Sequence, residues 1–354
     1  MNHTELTYRA IILLKKLIET PSFSSEEGDT AIHIENWFQE HEIPFKRTKN
    51  NIWATNLHFD ECKPTLLLNS HHDTVKPNNG YTKNPFEAIE EDGKLYGLGS
   101  NDAGGCLVSL IATFTYFYKQ PNLHYNLLIV ASAEEESSGE NGLNSMLSII
   151  PKIDVAIVGE PTLMQLAIAE KGLLVFDATV TGTPSHAAHP NTDNAIYNTI
   201  EVLQWFQEFT FKKSSSVLGD VKMTVTQINA GKQHNAVPAN VNLVIDVRVN
   251  DAYSNKEVVE ILQKEAPCSE IIPRSLRLNS SSIPKEHALV QAGIALGRKT
   301  YGSPTLSDQA VLSCPSLKLG PGDSTRSHTA DEFIYLKEIE EGIEIYIELL
   351  EKIL

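Results

Sequence analysis

Residues 126–142 read NLLIVASAEEESSGENG. Residues 127–131 are apolar without a polar break, a run of the length expected for a strand buried on both faces. Strands of that kind belong to parallel sheets covered by helices on each side. Three glutamates, Glu134, Glu135 and Glu136, arrive just past the run. Adjacent carboxylates repel one another and gain nothing from a core, so the crowding at this strand end needs a physical reason.

Working outward, TLLLNS (65–70) reads as another buried strand built on three consecutive leucines, and VAIVG (155–159) as a third, apolar throughout. Helical patterns fall between them, at 103–118 and 142–150, and the alternation predicts an α/β fold with a mostly parallel sheet. The chain is expected to start with a helix after Thr4 that runs through Leu17. A second follows, capped by Ser24 or Ser25 with Glu26 and Glu27 in its first turn. After Gly172 the texture changes. LLVFDATVTG, KMTVTQINAG and NVNLVIDVRV alternate or are β-branched, with helices near 193–209 and 255–265, which reads as an α+β unit with an antiparallel sheet. A helix at 286–301, a strand at 317–319 and a last helix after Leu336 return to the first texture. The expected organisation is a catalytic domain of residues 1–172 and 284–354, interrupted by an inserted domain of residues 173–283.

Composition narrows the function. The 354 residues carry a net charge of −16 with 41% hydrophobic residues. A chain this acidic lacks the basic face that nucleic-acid phosphates or an anionic membrane require. No apolar run approaches the roughly 18 residues of a membrane span, and MNHTELTYRA lacks the pattern of a secretory signal. Four scattered cysteines without a CxxC pair fit reduced thiols, and the expected location is the cytoplasm. A soluble enzyme acting on small molecules is the reading left.

In an open α/β sheet, ligands collect beyond the carboxyl ends of the strands. The polar residues gather there: His71-His72-Asp73, the three glutamates, and Glu160. Asp102 in GLGSNDAGG precedes a helix, and His328 in GPGDSTRSHTADE follows a strand. Any one of these alone is read as a helix cap, a loop residue or a satisfied histidine. Together they form a mixed nitrogen and oxygen ligand set suited to Zn2+ or a similar divalent ion.

His71-x-Asp73, Asn101-Asp102-x-x-Gly105, a Glu-Glu pair, Gly159-Glu160-Pro161-Thr162 and GPGDSTRSHTADE, in that order, resemble the di-zinc aminoacylase/carboxypeptidase superfamily, and most of all its acetylornithine deacetylase group. GTPSHAAHP, GKQHNAVPAN and DVRVN in the insert are similar too. The resemblance implies a cofactor of two divalent ions, Zn2+ with Co2+ as a substitute. His71 and Glu160 would hold one and His328 the other, Glu136 would be a further ligand, and Asp102 would bridge the two. Asp73 would orient His71. His186 would reach the active site of the partner in a homodimer and stabilise the oxyanion, while Asn235 and Arg248 would contact substrate. His72 and His189 fall at variable positions.

The family pattern is Asp-Glu-Glu, base then ligand, and Ala-Glu-Glu-Glu admits two registers. Either Glu134 is the base and Glu135 the ligand, or Glu135 is the base and Glu136 the ligand. The second keeps an acid where relatives have Asp and places Gly142 six residues past the ligand, so it is preferred. The implied activity is removal of the acyl group from an N-acyl amino acid. N-acetylornithine in arginine biosynthesis is the first substrate, with N-acetylcitrulline and N-succinylornithine as rivals and a metallo-carboxypeptidase or dipeptidase as the alternative.

Overall fold

The structure, a computed structural model, describes residues 3–354, which form two compact units. Among the described residues, the first comprises 3–168, 282–301 and 307–354; the second comprises 169–281 and 302–306. The second begins four residues before the expected insert and also takes in the short segment 302–306.

The first unit is built on a twisted sheet ordered Lys46–Thr48, Asn51–Thr55, Asn126–Ser132, Thr65–His71, Val155–Val158, Ser316–Lys318 and Leu166–Glu170. Its centre is parallel, with Leu68 beside Ile129 on one side and beside Ile157 on the other. The Asn51–Thr55 and Leu166–Glu170 strands pair antiparallel, so the sheet is mixed around a parallel core. Continuous apolar runs are explained by cover on both faces. Leu66 and Leu68 point into the core under helices His3–Ile18, Gly105–Phe117 and Leu336–Glu351, while Leu67 points to the opposite cluster with Trp53, Leu128 and Met146.

Several element boundaries differ from the sequence expectation, for local reasons. The second helix runs Gly28–Glu40, and neither Ser24 nor Ser25 caps it. Ser24 Oγ donates to Asp73 and Ser25 Oγ to Glu134, so both hydroxyls serve a more distant partner. The helix expected over 142–150 is the single turn Leu143–Met146, where Ser145 Oγ bonds back to the carbonyls of Asn141 and Gly142, competition that shortens helices. The expected helix over 286–301 ends at Ala295, and Tyr301 lies in the strand Thr300–Ser303.

In the second unit, Lys222–Ala230, Asn240–Val249, Gly172–Thr181 and Glu270–Pro273 form an antiparallel sheet in that order. Alternation is strict: Leu174, Phe176, Ala178 and Val180 meet Val241, Leu243, Ile245 and Val247 in one core with the helices Ala195–Glu208 and Asn255–Glu265. Ser254 and Glu257 close a reciprocal capping box on the second helix, and Asn194 caps the first. Among the described residues no helix is long and apolar enough to cross a membrane.

Candidate metal centre

The parallel strands end at one edge of the sheet, and their carboxyl ends deliver the site. His71 is the last residue of its strand and is almost wholly buried. Its Nδ1 side faces Asp73, 3.3 Å from Oδ1 and 3.0 Å from the carbonyl oxygen. Its Nε2 lies 3.4 Å from Asp102 Oδ1, 3.8 Å from Glu135 Oε2 and 3.8 Å from Glu160 Oε1. The other oxygen of Asp102, Oδ2, lies 3.6 Å from His328 Nε2, which is itself 3.0 Å from Glu136 Oε2. Asp102 thus stands between two histidines with one oxygen toward each.

Two overlapping sets could each hold a cation. His71, Asp102 and Glu136 offer ligand atoms within 4.8 Å of one another, and so do His71, Glu135 and Glu160. The fit is supported by buried atoms left without hydrogen-bond partners, namely His71 Nε2 and Glu160 Oε1, since native proteins seldom leave such groups unpaired. Imidazole nitrogens with carboxylate oxygens suit a divalent metal of the zinc type.

Electrostatics say the same. Burial, with the charge of Asp102 adding, raises Glu160 to a pKa of about 8. Burial also pushes Glu135 well above the carboxylate range, with Glu160, Asp308 and Glu136 adding repulsion. Burial opposes charge on His71, but the surrounding carboxylates of Asp102, Asp73 and Glu135 outweigh it and hold the ring well above its ordinary value. His328 rises to about 9 through its bond to Glu136. Carboxylates this crowded and this buried call for compensating positive charge.

The three glutamates part company here. Glu134 takes the left-handed conformation (φ 55°) and turns its carboxylate away from the histidines. It accepts from Asn141 N at 3.0 Å, Asn141 Nδ2 at 2.9 Å and Ser25 Oγ at 2.9 Å, while its own N–H donates to buried Glu27 at 3.1 Å. Burial alone would raise its pKa, yet the Asn141 and Ser25 bonds hold it below the ordinary value. Glu135 and Glu136 are oriented by Asp73, whose two oxygens accept their backbone N–H groups at 3.0 and 3.1 Å. His72, buried between Thr30 and Asn50, has its pKa lowered to about 4 by burial.

Three further candidates lie in the second unit. His186 pairs with Ala236 in a two-stranded ribbon and is exposed. Asn235 is beside it, its carbonyl accepting the Ala187 N–H at 3.0 Å. His189 packs its ring 5.7 Å from that of His186. Arg248 forks onto Asp246 at 2.9 and 3.1 Å, which leaves three of its five N–H donors outside the pair.

Asp308 and Glu332 were not singled out from sequence. Asp308 takes a 2.5 Å hydrogen bond from Ser132 Oγ. Glu332, four residues past His328, accepts the N–H groups of Gly99, Asn101 and Asp102. Its only sequence signal is its place at the end of the GPGDSTRSHTADE motif.

A cluster of imidazoles and carboxylates at the carboxyl edge of a helix-covered sheet, with an α+β unit inserted in the chain, defines a metal-dependent hydrolase. The chain belongs to peptidase family M20/M25/M40, which matches it over residues 67–352. It is 28% identical to the acetylornithine deacetylase of Proteus mirabilis over 374 residues, covering 96% of each chain. It is 25% identical to the succinyl-diaminopimelate desuccinylase of Rickettsia akari, covering 96% of this chain and 99% of the relative. Among solved structures, a dinuclear metal-binding peptidase from Bacillus subtilis matches with a TM-score of 0.76 at 16% identity, covering 98% of each chain. A Staphylococcus aureus tripeptidase matches with a TM-score of 0.74 at 19% identity, also over 98% of each.

Proposed function

We propose that this protein removes the acyl group from an N-acyl amino acid, with N-acetylornithine in arginine biosynthesis as the first substrate, using two divalent cations, Zn2+ by preference. The observation that carries the reading is Asp102, whose two oxygens face His71 and His328 separately. The deacetylase and desuccinylase relatives, matched over nearly the whole chain, support linear amide bonds as the target.

His71 and Glu160 would hold one cation, Glu136 and His328 the other, with Asp102 shared. The cations, when bound, would polarise the amide carbonyl and make a water acidic enough to give up a proton near neutral pH. Glu135, carrying a buried carboxylate beside His71 and free of the bonds that hold Glu134, takes that proton and hands it to the leaving amine. Asp73 keeps His71 and the backbone of Glu135 and Glu136 in place. The protein acts as a homodimer in which His186 of the partner subunit stabilises the oxyanion. Support comes from the second unit's surface: Tyr197 (70% exposed) and Ile200 (64%) project from one helix, and Ile228 (55%) from the edge strand Lys222–Ala230. Apolar side chains concentrated near an open sheet edge favour a partner. Asn235 and Arg248 would contact the amino-acid part of the substrate, the free donors of Arg248 being suited to a carboxylate.

The test is a panel of N-acetylornithine, N-acetylcitrulline, N-succinylornithine, other N-acyl amino acids and dipeptides, assayed with metal-loaded protein for release of free amine. Release from the N-acyl compounds is expected. Cleavage of dipeptides alone would move the protein to the peptidase reading, and turnover of neither would overturn the amidohydrolase reading.

A further inference from the structure

We infer that Glu332 and Asn101 are positioning residues: together they clamp Asp102 in place between the two ligand sets and so govern the affinity of the site for divalent cations. The inference rests on the metal reading above but concerns two residues that touch neither cation nor substrate.

The segment that carries Asp102 cannot hold itself in shape. Gly99 takes a left-handed conformation (φ 74°), and Asp102 (φ −119°, ψ 96°) departs from helical geometry just before the helix Gly105–Phe117 begins. Irregular backbone of this kind leaves N–H groups without intrahelical partners, and buried N–H groups must be satisfied elsewhere. Glu332, 2% exposed, satisfies three of them. Its Oε2 accepts from Gly99 N at 3.0 Å, and its Oε1 accepts from Asn101 N and Asp102 N, both at 2.9 Å. All three partners are donors, so only an acceptor-only group fits. A carboxamide would keep two bonds on its oxygen but turn an N–H2 toward a third N–H.

The second clamp faces the other way. Asn101 is fully buried, and its side chain accepts from Asp323 N at 3.0 Å and donates to Asp323 O at 3.1 Å. This imitates a backbone pair, and it grips the turn five residues before His328. Gly322 (φ 88°) sits so close that a Cβ there would collide with the Asn101 carboxamide oxygen. The segment bearing Asp102 and the segment bearing His328 are therefore tied twice, by Asn101 reaching one way and Glu332 the other. Because one oxygen of Asp102 faces each histidine, a shift in this segment disturbs both ligand sets at once. Sites of this chemistry tolerate displacements of only ~0.5 Å, and losing a residue that supports a ligand commonly weakens metal binding about 10–100-fold.

The experiment titrates metal-free protein with Zn2+ against a chromophoric chelator and records the visible absorption of the Co2+-loaded protein. Glu332→Gln and Asn101→Ala are compared with the parent and with Leu349→Ala, a core substitution that makes none of these bonds. The two clamp variants should bind about 10–100-fold more weakly, with both binding steps weakened together and the Co2+ bands altered. Leu349→Ala should lower the thermal midpoint yet keep the parental affinity and spectrum, which separates positioning from stability. If Glu332→Gln fails to fold, Asn101→Ala decides alone, since it leaves all three Glu332 bonds in place. Parental affinity and spectrum in the folded clamp variants would overturn the inference. Absence of divalent-ion binding by the parent itself would instead overturn the metal reading beneath it.

Discussion

Glu134 and Glu135 are chain neighbours with opposite surroundings, and substitution should separate them. Glu135→Gln keeps the shape of the site but removes the group proposed to move the proton, so kcat should fall on the order of 10^2–10^4-fold while bound metal, measured by elemental analysis, stays at the parental level. Glu134→Gln disturbs bonds from Asn141 and Ser25. Its cost is stability, about 1–3 kcal/mol in urea unfolding, with kcat close to the parent. The reverse pattern would return the base to Glu134. The sequence preferred the second register without deciding it, because what separates the two glutamates is a left-handed turn and partners at positions 25 and 141. Asp308 makes a pH prediction. Burial, with the nearby charge of Asp73, raises it to about 6 against the bond from Ser132, from an ordinary 3.8. A raised carboxyl means that the unfolded chain loses its proton first as pH rises, so the native state is penalised progressively from about pH 4 to 6 and fully above that. In metal-free protein, Asp308→Asn should be more stable than the parent by on the order of 3 kcal/mol at pH 7.5, and the gain should vanish near pH 4. Equal stability of the two proteins at both pH values, read from urea unfolding, would refute the penalty.

The strand Thr65–His71 shows how an element carries the site. Leu68 is fully buried and pairs with Ile129 and Ile157 in the two adjoining strands. Leu68→Ala should cost about 2–5 kcal/mol in urea unfolding by leaving a cavity, and because His71, the proposed ligand, ends the same strand, metal affinity should be sensitive to the same change. A cost below ~1 kcal/mol would mean the sheet centre can collapse around the gap. The strand itself was legible in sequence because Leu66, Leu67 and Leu68 follow one another without a polar break, and such a run has few other homes than a sheet covered on both faces. The helix Asn255–Glu265 was equally legible, since its capping box is written locally by Ser254 and Glu257. What failed to show was polar residues acting at long range. Ser24 and Ser25 look like caps in sequence, yet they bond Asp73 and Glu134, 49 and 109 positions away. Glu332 escaped for the same reason: its three partners lie more than 200 residues earlier, and nothing local marks a carboxylate as an acceptor for another segment's backbone.

At the scale of the whole molecule, metal and assembly make separate predictions. Prolonged chelation should abolish turnover, and the thermal midpoint should fall as the crowded carboxylates lose their counter-charge. Re-addition of Zn2+ should restore both, and unchanged turnover after verified metal removal would end the metal reading. Assembly is tested by complementation. If each site combines Glu135 of one chain with His186 of the partner subunit, then Glu135→Gln and His186→Ala are each inactive alone, yet defective in different halves of the composite site. Differently tagged chains of the two variants, produced together, would associate at random into a symmetric dimer. Half of those dimers would be mixed, and each mixed dimer would contain one site with both residues intact. Co-production should therefore recover about a quarter of parental activity, and isolation of the doubly tagged species should raise this to about half. Light scattering must show a dimer under the same conditions. Activity no greater than the sum of the two variants, in a confirmed mixed dimer, would show that His186 acts within its own chain or not at all.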